Sequence, residues 1–232
     1  MSDQSTGAPD AETQRKSIAL LDLDSMGTLD EAVDSAGELA NLYHVIARSV
    51  LRESGPLNPA RPWMDLFFQS MIVRVRGLHE GAVREIRADN PHGTNTLLRA
   101  WVEDVALLRY VIDHPEYVEK LAQSKKSLGP GGRVRVQALI DHASSSLPGL
   151  AAVYGQLCEA AHFGNVAFWA SYSLEEEDAE RYLNWNSVPS WREEEQALIA
   201  CGRVHELARE SRYLLQLFLA EHLPTGESSQ ST

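Results

Sequence analysis

Apolar residues recur three and four positions apart along stretch after stretch of this chain, a spacing that lines one face of a helix and splits across both faces of a strand. The first such stretch opens at a capping box, Thr28-x-x-Glu31, in which each side chain can satisfy the other residue's backbone N–H. Leu29, Val33, Ala36, Ala40, Tyr43, Ala47 and Val50 follow on one side, so a single long helix is predicted from Thr28 to about Ser54 and Gly55. Past the break from Pro56 to Pro62, a second helix gathers Met64, Phe67, Phe68, Met71, Val75, Leu78, Ala82 and Ile86, with Arg76, Glu80, Arg84 and Arg87 opposite. A third follows Pro91 with Leu98, Trp101, Val102, Val105, Leu108 and Ile112 inward, and Pro115 forces a break before a short helix to about Ser124.

The remaining pattern completes an all-α reading. Gly129-Pro130-Gly131-Gly132 marks a loop, and it lacks the Gly-Lys-Ser/Thr ending of a phosphate-binding P-loop. Val136, Leu139, Ile140 and Ala143 mark a modest helix after it, and Leu150, Val153, Tyr154, Leu157, Cys158 and Ala161 mark another that stops at Gly164. From Val166 to Leu174 the period changes to two, which predicts a strand paired with Arg181 to Asn186 across an acidic turn from Glu175 to Glu180. Ser190-x-x-Glu193 reads as a second capping box opening the last helix, whose stripe runs Ala197, Ala200, Val204, Leu207, Ser211, Leu214, Phe218. The prediction is one helical bundle over residues 19–223, with a small β-hairpin before its last helix. Residues 1–18 and 224–232 are too poor in apolar side chains to offset the entropy of ordering them.

Charge narrows the function classes. A net charge of −12 repels nucleic acid and anionic membrane at long range, which leaves only a local basic face to bind RNA or a nucleotide. No run of about 18 apolar residues could span a membrane, and the polar start of the chain has no signal-peptide core, so a cytoplasmic protein is expected. Lysine is confined to Lys16, Lys120, Lys125 and Lys126 while arginine is plentiful, a bias typical of GC-rich bacterial genomes. Cys158 and Cys201 both fall on apolar stripes and form no disulfide framework.

Three side chains are the candidate catalytic residues: Arg99, Glu103 and His162. Arg99 and Glu103 stand one turn apart beside a buried stripe, where they pair with each other whether or not they act on a substrate. His162 ends a core helix, where the negative end of the helix dipole favours an imidazolium; the simpler role is a helix cap. Glu159-x-x-His162 has the spacing of one half of a di-iron site, with Glu38 and Glu103 as possible further ligands, but the second half is missing, and no metal or cofactor is expected. Arg74 and His79, Arg87 and His92, and Arg109 and His114 are each five positions apart. An arginine to balance phosphoryl charge and a histidine to move a proton suffice to cut RNA without metal. Serine-hydrolase and metalloprotease motifs are absent.

The segments Leu97-Leu98-Arg99-Ala100-Trp101-Val102-Glu103, Tyr110 with His114-Pro115, and Tyr154-x-x-Leu157-Cys158-Glu159-x-x-His162 resemble an uncharacterised bacterial family of helical proteins, similar in turn to the HEPN superfamily. The resemblance covers roughly Leu29 to Gly164. It implies a helical bundle and, since many HEPN proteins are metal-independent RNases with an Arg-to-His motif, a toxin, defence or RNA-processing role. In those motifs the arginine is usually followed by a polar residue, whereas Arg74, Arg87 and Arg109 are followed here by Val, Ala and Tyr. The competing expectation is a non-catalytic homo-oligomer, a homodimer in its simplest form. Its partner surface would be the aromatic segment with Phe168, Trp169, Tyr172, Tyr182, Trp185 and Trp191.

Overall fold

A computed structural model of the chain describes residues 26–53, 62–123, 133–162, 172–177, 180–185 and 187–223. The two predicted tails, the Gly129 to Gly132 loop, Gly164 and residues 166–171 of the predicted first strand, with Phe168 and Trp169 of the predicted partner surface, lie outside these residues. Within them the chain is an all-α bundle: α1 (Leu29–Glu38), α2 (Asn41–Glu53), α3 (Pro62–Arg87), α4 (Pro91–Asp113), α5 (Tyr117–Gln123), α6 (Val136–Ser144), α7 (Leu150–Ala161) and α8 (Glu194–His222). A hairpin of β1 (Tyr172–Glu177) and β2 (Glu180–Trp185) precedes α8.

The bundle is built around α4. Leu98, Trp101, Val102, Val105, Leu108 and Ile112 are all buried, as their spacing predicts, and so are Ala106 and Val111 from other sides of the same helix. A helix apolar on more than one face must be enclosed, and α4 packs against α3, α6, α7 and α8. Trp101 has no exposed surface and donates its indole N–H to Ser211 Oγ on α8 at 2.8 Å, so the largest core side chain is both packed and satisfied. Phe68 from α3 stacks on Phe218 from α8 at 5.3 Å between ring centres. Fully burying each such aromatic contributes up to about 3 kcal/mol.

The predicted first helix is divided into α1 and α2 at Leu39 and Ala40. In an unbroken helix the Ala36 carbonyl would accept the Ala40 N–H. Instead it accepts His79 Nε2 from α3 at 2.7 Å, while Ala40 N donates to Gly37 O at 3.2 Å. A buried imidazole has thus taken a carbonyl out of the ladder, and the helix restarts in a register that buries Tyr43 and Ile46. The Thr28 capping box forms as predicted, with Thr28 Oγ1 accepting from Glu31 N and the Glu31 carboxylate accepting from Thr28 N at 2.9 Å.

The second predicted box does not form. Helix α8 begins at Glu194 with Glu193 at its N-cap and no side-chain cap. Trp191 N donates to Asp89 Oδ1 at 3.0 Å, tying the approach to the α3–α4 turn and delaying the helix start beyond Ser190. The hairpin forms with its ladder shifted toward the acidic run: Tyr172 pairs with Trp185 and Glu177 with Glu180, leaving two residues to connect the strands where a six-residue turn was predicted. Backbone pairing does not require apolar side chains, so the end of the alternation did not mark the end of the strand.

His79 is a titratable group fully buried in this core. The Ala36 carbonyl fixes the proton on Nε2, Nδ1 meets Tyr43 Oη at 3.5 Å, and the ring lies 5.0 Å from Trp101. Burial pushes its pKa below the ordinary histidine value, against the smaller opposing pull of the Ala36 hydrogen bond. His205 on α8 is lowered for the same first reason. Groups kept neutral by folding bind protons preferentially in the unfolded chain. Their contribution is therefore complete above about pH 6.5, the free-histidine value, and is lost as pH falls below it, by up to ~1.4 kcal/mol per pH unit for each group. The urea midpoint should fall between pH 7 and pH 5, and His79→Gln, which keeps an N–H for Ala36 but cannot titrate, should flatten that slope; an unchanged slope contradicts the assignment.

Candidate active site

Because α4 is enclosed, its polar side chains sit at seams between helices or at its ends. The first seam faces α7 and holds two of the three predicted residues. Arg99 Nη2 and Glu103 Oε1 are 3.1 Å apart, and Tyr154 on α7 donates its hydroxyl to the same Glu103 oxygen at 3.2 Å while its ring lies 6.0 Å below the Arg99 guanidinium. Both members of the ion pair are about one quarter exposed. Burial and a hydrogen bond with Cys158 push the Tyr154 phenol up to about 12. Burial alone would lower Arg99, but Tyr154 and Glu103 outweigh it and its pKa rises. Arg99 and Tyr154 therefore keep their protons far above neutral pH, and neither is poised to pass one.

His162 is the C-cap of α7, where its backbone N–H reaches Cys158 O at 2.9 Å. Its side chain is exposed and makes no hydrogen bond or ion pair with Arg99 or Glu103. The seam thus brings together Arg99, Glu103 and Tyr154, and leaves His162 at the helix end. Glu159 is exposed, and among the described residues no three metal-ligating side chains converge, there or elsewhere. Both cysteines are free, and burial pushes the Cys201 thiol up to about 11.

The three Arg and His pairs separate clearly. Arg74 reaches across to Asp104 on α4, donating Nε to Oδ1 at 2.9 Å, whereas His79 is buried on Ala36. Arg87 pairs with Asp34 on α1 at 2.7 Å and makes no hydrogen bond or ion pair with His92 among the described residues. Of the arginines opposite the apolar face of α3, Arg76 is also paired, with Glu80 at 2.7 Å. Only Arg109 and His114 share one environment.

That environment is the C-terminal end of α4. Arg109 and Asp113 stand one turn apart and meet at 2.5 Å, and the second Asp113 oxygen takes His142 Nε2 from the last turn of α6 at 2.8 Å. His114 is the C-cap: its N–H reaches Tyr110 O at 2.9 Å, and Pro115 behind it disfavours further helix. The cap turns the imidazole back onto Tyr110, with ring centres 4.4 Å apart, and to 5.4 Å from His142. Tyr117 from α5 packs edge-on against Tyr110, and its hydroxyl accepts the Val134 N–H at 2.8 Å, which holds the start of α6 in place. On α8, His222 Nε2 donates to the Ile112 carbonyl at 2.9 Å, which meets one of the carbonyls the helix end leaves open.

The chemistry follows from the hydrogen bonds. With Asp113 accepting from Nε2, a neutral His142 carries its proton there and presents bare Nδ1 as a base. Partial burial would raise the Asp113 carboxyl, but His142 and Arg109 outweigh it and hold it below the usual carboxylate range. His114 and His142 are 41% and 30% exposed, so a ligand can reach both. Sequence spacing pointed to Arg109 and His114 only as one of three equal pairs. His142, 28 positions beyond His114, carried no signal of its own.

No protein family matches the chain, and searches of curated proteins and of solved structures return no match either. Among the described residues no helix is long and apolar enough to cross a membrane. The roles of these residues rest on geometry alone. In a carboxyl-carbon NMR titration Asp113 should titrate below the ordinary aspartate value of 3.8, and His142→Ala or Arg109→Gln should each bring it upward. An Asp113 that titrates normally in the intact protein contradicts the arrangement.

Proposed function

We propose that the protein is a metal-independent ribonuclease whose working groups are Arg109, Asp113, His114 and His142. The reading keeps the activity class that the HEPN resemblance implies and moves it from Arg99, Glu103 and His162 to the end of α4. What carries it is one observation: two accessible imidazoles stand 5.4 Å apart, one of them bound to a carboxylate that an arginine shares. That spacing leaves both rings within reach of a single phosphate. In this reading His142, oriented by Asp113, removes the 2′-hydroxyl proton. The 2′ oxygen attacks phosphorus, the bond to the 5′ oxygen breaks, and His114 as imidazolium protonates the leaving oxygen. Arg109 balances the charge that builds on the non-bridging oxygens. The products are a 2′,3′-cyclic phosphate and a 5′-hydroxyl end. For a chain of net charge −12, attraction for RNA has to come from such local groups, here the two imidazoles and Arg109.

A second reading, a non-catalytic interaction protein, has its own support: Trp185 at the end of β2 and Val188 just beyond it are about 70% exposed. Incubation with mixed-sequence single-stranded RNA in the presence of EDTA separates the two. The intact protein should cleave, leaving cyclic phosphate ends, and His114→Ala, His142→Ala and Arg109→Gln should each slow cleavage by roughly a hundredfold or more. Arg99→Ala and His162→Ala, folded by circular dichroism, should retain most of the rate. Absence of cleavage across diverse RNAs removes the ribonuclease reading and leaves the second; loss of cleavage in His162→Ala alone returns the chemistry to the α7 end.

A further inference from the structure

The outer face of α3 carries a second feature, independent of the α4 end. Trp63, Leu66, Ser70, Val73 and Gly77 lie three and four positions apart, and all five are exposed, Val73 to 72%. Ser70, Val73 and Gly77 line an open groove of about 600 Å³. Gly77 is the telling member. A glycine inside a long helix costs about 1 kcal/mol relative to alanine, and such a residue is normally explained by something packed where its Cβ would be. Gly81, one turn on, has that explanation: a Cβ there would come within 3.1 Å of Leu97 on α4. At Gly77 a Cβ would meet nothing within 4 Å among the described residues. Gly155 on α7 is equally open, but the exposed residues one turn from it are Ala151, Ala152 and Glu159, so no large apolar side chain stands on its face.

We infer that this face is where a second copy of the chain docks, its α3 antiparallel to the first about a two-fold axis between Ser70 and Val73. The sizes along the stripe complement themselves under that operation. Leu66 of each copy falls opposite Gly77 of the other, a large apolar side chain over a position with no side chain, and Ser70 falls opposite Val73. Trp63 falls opposite Glu80, whose carboxylate can accept the indole N–H. A two-fold sets each flank of the stripe against its own counterpart, so Gln69 of one copy falls near Arg76 of the other and Arg74 near Phe67, and no like charges lie directly opposite in this register. A parallel arrangement would set Gly77 against Gly77 and leave a gap. The isologous pairing is the common solution for two identical surfaces. The stripe from Trp63 to Glu80 is about 25 Å long at the ~1.5 Å rise per residue of a helix.

Sedimentation velocity from about 1 to 200 µM should show the intact protein passing from monomer to dimer. Gly77→Ala gives opposite signs to two readouts: it should raise the melting temperature at the dilute end, where the monomer is the species heated, and weaken dimerisation at least tenfold. Val73→Glu should abolish the dimer and leave the circular dichroism spectrum intact. A monomer at every concentration overturns the proposal, as does a dimer unaffected by either substitution or one lost with Trp185→Ala in place of Val73→Glu.

Discussion

The enclosure of α4 places the polar groups it carries. A helix packed against α3, α6, α7 and α8 shows little of its length to water, so its ionisable side chains find partners at a seam or emerge at an end. Arg99 and Glu103 meet Tyr154 at the α7 seam, Asp104 meets Arg74 at the α3 seam, and Arg109 with Asp113 emerges beside His142. The Asp104 carboxyl, the most buried of these, has its pKa raised by desolvation even with Arg74 beside it. At the seams the charged groups pair with one another. The end of the helix differs in having two imidazoles, groups that change charge near neutral pH, on an accessible rim.

The same enclosure accounts for the broken first helix. Trp101 and His79 share the space between α4 and α3, and a buried imidazole with an N–H needs an acceptor. The nearest is a carbonyl that α1 would otherwise use for its own ladder. The helix gives up one bond and turns, and the turn brings Tyr43 under the histidine. One buried donor on α3 thus decides where α1 ends.

The all-α class, the inward stripe of α4 and the Thr28 cap were legible because each depends on residues a few positions apart, where periodicity is informative. The α1–α2 break was not, since His79 is 43 positions from Ala36. The false cap at Ser190 failed for a similar reason, a contact to Asp89 about 100 positions away. For the candidate site the sequence offered Arg99 and Glu103 as partners, which they are, and offered Arg109 and His114 as one pair among three. Choosing among those pairs needs to know which histidine is buried, which is exposed, and which second histidine another helix supplies. That information lies in the packing of α6 against α4, with no counterpart in local spacing.

The most direct test of the account watches the histidines themselves. The ring Cε1–H resonances, assigned through single substitutions, can be followed by NMR as a non-cleavable oligonucleotide lacking the attacking 2′-hydroxyl is titrated in. The account predicts that His114 and His142 shift together along one binding curve, while His162 and the buried His79 stay where they were. A curve in which His162 moves and His114 does not, or in which no histidine responds at any oligonucleotide concentration, contradicts the placement of the site at the end of α4.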